Sequence, residues 1–262
     1  MLSAMTHARG SETVEIQLTD GSVLRGMLSF AETTAGKTPS VVFAHGLGST
    51  RSGEKAQALE TECGRRGWNF AAFDFRGHGQ SDGNLLGLSG SCLIEDLEAI
   101  TRMVAMRIGG PLFLVGSSMG GWTAAWVAAR NPERIVACAF VAPAFRFMEW
   151  NTLSERERQD WRRTGRIRIG SEPAVMELGS GLLQESALYP YEVLLHRFRT
   201  RSLVFHGMQD DLIPYSDSID FAARCAAADV ESRVLKDGDH RLNSHKSMIA
   251  RAACEFFSAG CM

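Results

Sequence analysis

The chain has no apolar run long enough to span a bilayer, so no transmembrane segment is expected. Its first ten residues hold His7 and Arg9 but no apolar h-region, so a secretory signal is not expected either. The six cysteines, Cys63, Cys92, Cys138, Cys225, Cys254 and Cys261, are scattered and include no C-x-x-C pair. Several sit in apolar runs, where a free thiol behaves as a small hydrophobe, which points to a reducing compartment. A net charge of −2 leaves no electrostatic ground for a nucleic-acid partner or an anionic membrane surface. Only four of the 28 basic residues are lysines, which reports coding composition rather than function.

At 262 residues the chain suits one large α/β domain or one domain with an insertion. A domain of that size buries about three quarters of its unfolded surface, and needs no disulfide or metal staple. Its organising stretch is Gly116-Ser117-Ser118-Met119-Gly120. The apolar run Pro111–Val115 before it reads as a buried strand, and Trp122–Ala129 after it as a helix. Strand, G-x-S-x-G and helix in that order form the context of a nucleophile elbow. The turn is so tight that side chains flanking the serine would collide, and two glycines remove those collisions. Ser118 is the candidate nucleophile and Ser117 a turn residue.

Around the elbow, residues 13–19 and 22–28 alternate about Asp20-Gly21, which predicts a hairpin. A polar loop over 31–39 leads to Val41–Ala44, a strand apolar on both faces. His45-Gly46-Leu47-Gly48 follows, where glycines let the backbone approach a ligand. A helix over 54–66, a strand over 69–75, a glycine-rich turn with His78, and an amphipathic helix over 91–106 come next. After the elbow, a helix over 119–130 ends at Asn131-Pro132, and Ile135–Val141 is another buried strand. Strands alternating with helices predict a mostly parallel sheet covered on both faces.

The pattern breaks over 146–200, where no buried strand is evident. Ser154-Glu155-Arg156-Glu157 is a capping box opening a helix to about Arg163. Gly165 and Gly170 bound a connector, Glu172-Pro173 opens a second helical stretch, and 182–195 a third. Residues 146–200 thus read as a helical lid on a core of residues 1–145 and 201–262. Met148, Trp150, Leu182 and Leu183 are its candidate substrate contacts. The strand pattern returns at 202–205, followed by His206-Gly207-Met208-Gln209-Asp210-Asp211, a helix over 216–228, a strand over 231–235, Asp239-His240-Arg241, and a closing helix over 245–258.

Ser118, an acid at 210 or 211, and His240 each follow a strand, and therefore share one edge of the sheet. A serine hydroxyl needs a base to become a nucleophile, and an imidazole oriented by a carboxylate supplies it. His45 and His206 precede glycines at strand ends and read as loop-ordering residues, as does His78.

Three stretches, Leu114–Trp122, His206–Pro214 and Asp239–Arg241, resemble the α/β-hydrolase superfamily. More narrowly they are similar to its mitochondrial palmitoyl-protein thioesterase branch, also described as acyl-glucuronide esterases. The resemblance runs from His45 to His240. It implies the triad Ser118, Asp210 and His240, because the motif H-G-x-x-D-x-x-[VI]-P sets the acid at Asp210. It also implies an oxyanion hole of the Leu47 and Met119 backbone N–H groups. No metal or organic cofactor is implied. The location it implies is mitochondrial for a eukaryotic protein and cytoplasmic for a bacterial one.

The expected function is a serine hydrolase cleaving carboxylic esters or acyl thioesters, of small molecules or acylated proteins, through an acyl-enzyme. An alternative on the same triad is C–C bond hydrolysis, with Arg146, Arg163 or Arg166 as basic groups inside the lid. A ligand receptor on the same fold is a third reading. Arg241 could meet a substrate carboxylate, or pair with Asp237 or Asp239 in its own loop.

Overall fold

A computed structural model of the protein describes residues 10–31, 38–150, 153–170 and 175–259. The N-terminal residues read for a signal, most of the 31–39 loop, the Glu172-Pro173 helix start and Cys261 lie outside the described residues. In chain order the elements are β1 Ser11–Gln17, β2 Val23–Ser29, β3 Ser40–Ala44, α1 Glu54–Arg65, β4 Asn69–Phe73 and α2 Gly90–Arg107. Then come β5 Leu112–Ser117, α3 Met119–Arg130, β6 Ile135–Val141, α4 Glu155–Thr164, β7 Arg166–Ile169 and β8 Met176–Gly179. Last are α5 Gly181–Gln184, α6 Tyr191–Arg197, β9 Arg201–Gly207, α7 Tyr215–Arg224, β10 Val230–Leu235 and α8 Lys246–Ala259.

Eight strands form one sheet in the order β1-β2-β4-β3-β5-β6-β9-β10. The β1–β2 hairpin joins antiparallel, and β4 onward is parallel. This is the α/β-hydrolase architecture that the resemblance implies. The chain runs from β3 outward to β4, then crosses back to β5 on the other side of β3. In open α/β sheets such a reversal is where ligands bind, and the elbow and the His45–Gly48 loop both lie at the carboxyl ends of β3 and β5.

The inner strands are apolar on both faces because helices cover both. On one face Val42, Leu114, Cys138, Phe140 and Val204 pack with α2 and α3 around Leu97, Trp122 and Trp126. On the other, Val41, Phe113, Val115, Ala139 and Phe205 pack with α1 and α8 around Leu59, Ile249 and Phe257. Among the described residues no helix is long and apolar enough to cross a membrane.

The 146–200 segment departs from the all-helical expectation. Its capping box forms as read, with Ser154 and Glu157 bonded reciprocally at the start of α4. Gly165 then ends α4 in the left-handed region, at φ 75°. The connector beyond it is a strand: β7 pairs antiparallel with β8, Ile167 opposite Leu178 and Arg168 opposite Glu177. Arg166-Ile167-Arg168-Ile169 alternates with period two, so one face meets the core and the other meets water. A half-exposed four-residue strand has no continuous apolar run to reveal it. Trp161, Leu178, Leu182, Leu194 and Leu195 pack the segment into the core cluster of α2 and α3.

Candidate active site

The elbow is strained where the motif requires it. Ser118 joins β5 to α3 with φ 52° and ψ −119°, a conformation costly for any residue bearing a Cβ. A Cβ on Gly116 would lie 2.4 Å from the Gly120 carbonyl oxygen, and one on Gly120 would lie 2.1 Å from that of Ala44. Both neighbours are backbone and cannot retreat, so the two glycines are steric requirements of the turn.

The three loops converge. Ser118 Oγ lies 3.1 Å from His240 Nε2, and His240 Nδ1 lies 2.7 Å from Asp210 Oδ2. With the imidazole neutral, its Nδ1–H donates to the carboxylate, and Nε2 is left to accept from the serine hydroxyl. Asp210 Oδ1 accepts the Leu212 and Ile213 amides at 2.9 and 2.8 Å. Burial pushes the Asp210 carboxyl up, but donors from His206, His240 and Ile213 outweigh it and hold it well below the usual carboxylate range. Asp211 is exposed and makes no part of this chain.

The His45–Gly48 loop leans on the serine. A Cβ on Gly46 would come within 3.2 Å of Ser118 Cβ, so only a glycine lets the loop approach this closely. Met119 heads α3, so its amide has no intrahelical acceptor. Leu47, in the loop, is partly buried against the core. His45 orders this loop: Nδ1 sits 2.8 Å from the Gly46 carbonyl, and Nε2 accepts the Phe75 amide at 3.1 Å. Burial, with His78 adjacent, pushes its pKa down to about 4, so the ring is neutral. His78 sets Nδ1 against the Arg76 carbonyl at 3.2 Å, and its ring meets His45 edge-on.

Of the candidate substrate contacts, Met148, Leu182 and Leu183 are only 1%, 0% and 6% exposed, packed within the core. Trp150 is partly exposed and meets Trp161 edge-to-face. The basic groups of the C–C hydrolysis reading are committed elsewhere. Arg146 faces Glu149, Asp217 and Asp220, and stacks on Tyr191. Arg163 pairs with Asp160, and Arg166 with Glu177. Arg241 is exposed, and its carbonyl accepts Lys55 Nζ at 2.7 Å. The loop pairing expected for it does not form: Asp237 faces His245 at 3.2 Å, and Asp239 accepts the Leu242 amide at 2.7 Å.

Three neighbours of the site escaped the sequence reading in whole or part. His206, which its place before a glycine at a strand end marks as a loop-ordering residue, has its Nε2 3.0 Å from Asp210 Oδ2. Ser218, on the first turn of α7, backs His206 Nδ1 at 2.7 Å and carries no sequence signal. Met176, on β8, lies over Gly48 of the His45–Gly48 loop, its Sδ 2.7 Å from where a Gly48 Cβ would stand. It falls in the stretch that the sequence reads as helical from Glu172-Pro173, and the structure puts it in β8 instead, opposite Ile169.

Known proteins carry the same arrangement of elements. The family described as serine aminopeptidase, S33, matches residues 37–163. The mitochondrial palmitoyl-protein thioesterase ABHD10 of Bos taurus is 32% identical over 218 residues, 79% of this chain and 68% of that one. Its Mus musculus counterpart is 31% identical over 218 residues, 79% of this chain and 70% of that one. Among solved structures, alpha/beta hydrolase domain-containing protein 10 from mouse superposes with a TM-score of 0.78 at 25% identity, covering 95% of this chain and 98% of that one. Est1E from Butyrivibrio proteoclasticus, solved with ferulic acid, superposes at 0.80 with 18% identity over 94% and 98%, a likeness of fold alone. The chain belongs to the α/β-hydrolase family, in the branch that contains ABHD10, and is a hydrolytic enzyme of that fold.

Proposed function

We propose that the protein hydrolyses carboxylic esters or acyl thioesters through an acyl-enzyme on Ser118. The observation that carries this reading is the unbroken hydrogen-bonded chain from Ser118 through His240 to Asp210. His240 Nε2 takes the Ser118 proton as Oγ attacks the acyl carbon. The Asp210 carboxylate holds the ring in the Nδ1–H tautomer and stabilises the imidazolium that forms. The tetrahedral oxyanion turns toward the Met119 and Leu47 amides, each such donor contributing roughly 3–4 kcal/mol in comparable sites. As the intermediate collapses, His240 hands the proton to the leaving alkoxide or thiolate, and the acyl group stays on Ser118. Water, deprotonated by the same nitrogen, then attacks the acyl-enzyme and releases the acid.

The names of the ABHD10 relatives favour an acyl thioester on a protein as one substrate class. Residues 146–200 act as the lid over the acyl chain. Because Met148, Leu182 and Leu183 are packed in the core, that segment must shift to admit a long chain. Cytoplasmic placement, which suits the free thiols of the described residues, belongs to the same proposal, although the relatives are mitochondrial by name.

A panel of p-nitrophenyl esters and acyl thioesters from C2 to C16 tests the reading, with mass spectrometry of the quenched enzyme. Turnover with an acyl adduct on the peptide bearing Ser118 supports it. Wild-type turnover by Ser118→Ala overturns it.

A further inference from the structure

His206 ends β9 as a wholly buried imidazole, 1% exposed, directly behind the triad acid. Its Nε2 has two neighbours, Asp210 Oδ2 at 3.0 Å and the Ile213 carbonyl at 3.1 Å. Both can only accept, so the proton sits on Nε2. On the neutral ring, Nδ1 is then bare and accepts the Ser218 hydroxyl at 2.7 Å. Ser218 is 1% exposed on α7, which fixes the far side of the ring. Asp210 Oδ2 is also the oxygen that His240 reaches at 2.7 Å. Two imidazole N–H groups therefore share one carboxylate oxygen, while two amides occupy the other.

We propose that His206, held by Ser218, is a positioning residue that sets both the plane and the charge of the Asp210 carboxylate. The proposal rests on the Ser118–His240–Asp210 reading above. The plane matters because the terminal torsion of an aspartate is broad and a free carboxylate would rotate. Two amides on Oδ1 and one imidazole on Oδ2 leave a single orientation, with the remaining lone pair of Oδ2 aimed at His240. The charge matters because a donor on Oδ2 draws off density that would otherwise face the His240 imidazolium. The titratable groups around His206 are Asp210, His240 and Asp217 of α7, the last paired with Arg146.

The test uses the full chain with His206→Phe, His206→Gln and Ser218→Ala, each assayed on p-nitrophenyl butyrate from pH 5 to 9. Active sites are titrated with a fluorophosphonate, so that misfolded protein does not enter kcat. His206→Phe should lower kcat per titrated site by about 10- to 100-fold, as a small displacement of a catalytic group does, with KM within about threefold. The acid limb of its kcat/KM profile should move to higher pH, because Oδ2 now serves His240 alone. His206→Gln sets an amide N–H at a similar reach and should recover most of the rate. Ser218→Ala should lose several-fold in the same direction.

A role in packing alone would change melting temperature and leave the per-site rate and pH profile in place. Wild-type per-site rate and profile in His206→Phe overturn the proposal, as does a glutamine variant no better than phenylalanine. Should His206→Phe fail to fold, wild-type profiles in both His206→Gln and Ser218→Ala overturn it. Ser118→Ala, run alongside, separates the two levels. Full turnover there removes the triad itself, whereas loss there with normal His206 variants removes only the positioning role.

Discussion

Ser118 and His240 are 122 residues apart in the chain and 3.1 Å apart in space. Neither lies inside a strand. Ser118 directly follows β5 and His240 lies in the loop beyond the end of β10, so the contact exists only while the strands between them keep register. The site therefore reports on the fold, and its parts can be tested separately.

The two adjacent aspartates differ sharply in environment. Asp210 accepts four hydrogen bonds in the interior, while Asp211 faces water. Asp210→Asn should lower kcat by about 10⁴-fold, because the amide favours the wrong imidazole tautomer. Asp211→Asn should stay within about threefold. Steady-state kinetics on one ester checks both, and equal losses would move the acid away from Asp210.

Gly120→Ala should be a folding variant rather than a catalytic one. Its Cβ would press on the Ala44 carbonyl oxygen at 2.1 Å. With backbone on both sides, the expected cost is about 3 kcal/mol or more. Gly87→Ala meets nothing within 4 Å and should change stability by less than about 0.5 kcal/mol. Urea denaturation of both variants checks the contrast.

The parts of the molecule legible in the sequence are those where burial writes a continuous pattern. Val41–Ala44 and Leu112–Val115 are apolar throughout because helices cover both faces, and their loops follow directly. The choice of Asp210 over Asp211 came from the motif and not from periodicity. The β7–β8 hairpin was not legible, because Arg166–Ile169 is half in water and too short to outweigh the helical signals around it. Helix α7 ends at Arg224, short of the predicted 228, where Cys225 turns extended. The contact of His206 with Asp210 spans four residues of a turn, a spacing that carries no geometry outside a helix. Whether Met148 and Leu182 line a cavity or fill the core depends on packing, which no sequence period encodes.

His45 gives a signed pH prediction. Its folded pKa of about 4 lies below the ordinary 6.5, through burial and then through His78. Between those values the unfolded chain binds a proton that the folded chain refuses, so stability falls as pH drops from about 6.5 toward 4. Above 6.5 the residue contributes nothing to the pH dependence. The full effect is about 3 kcal/mol. Nitrogen-15 shifts of the ring at pH 5 should show a neutral imidazole, and a charged one would contradict the burial account.

Arg241 has no ion pair within 4.0 Å among the described residues, which leaves its guanidinium available to a substrate carboxylate. Arg241→Ala should reduce kcat/KM about tenfold more on an acidic ester than on a neutral one of equal size. An equal loss on both would remove the substrate role.

The most direct test of the hydrolytic mechanism is the rate of ester and thioester turnover by Ser118→Ala beside the wild type, on protein of matched melting temperature. Loss of the nucleophile should lower kcat by about a million-fold while the fold stays intact. A Ser118→Ala protein that turns over at the wild-type rate would contradict the account, because the acyl group would then not be carried on Ser118.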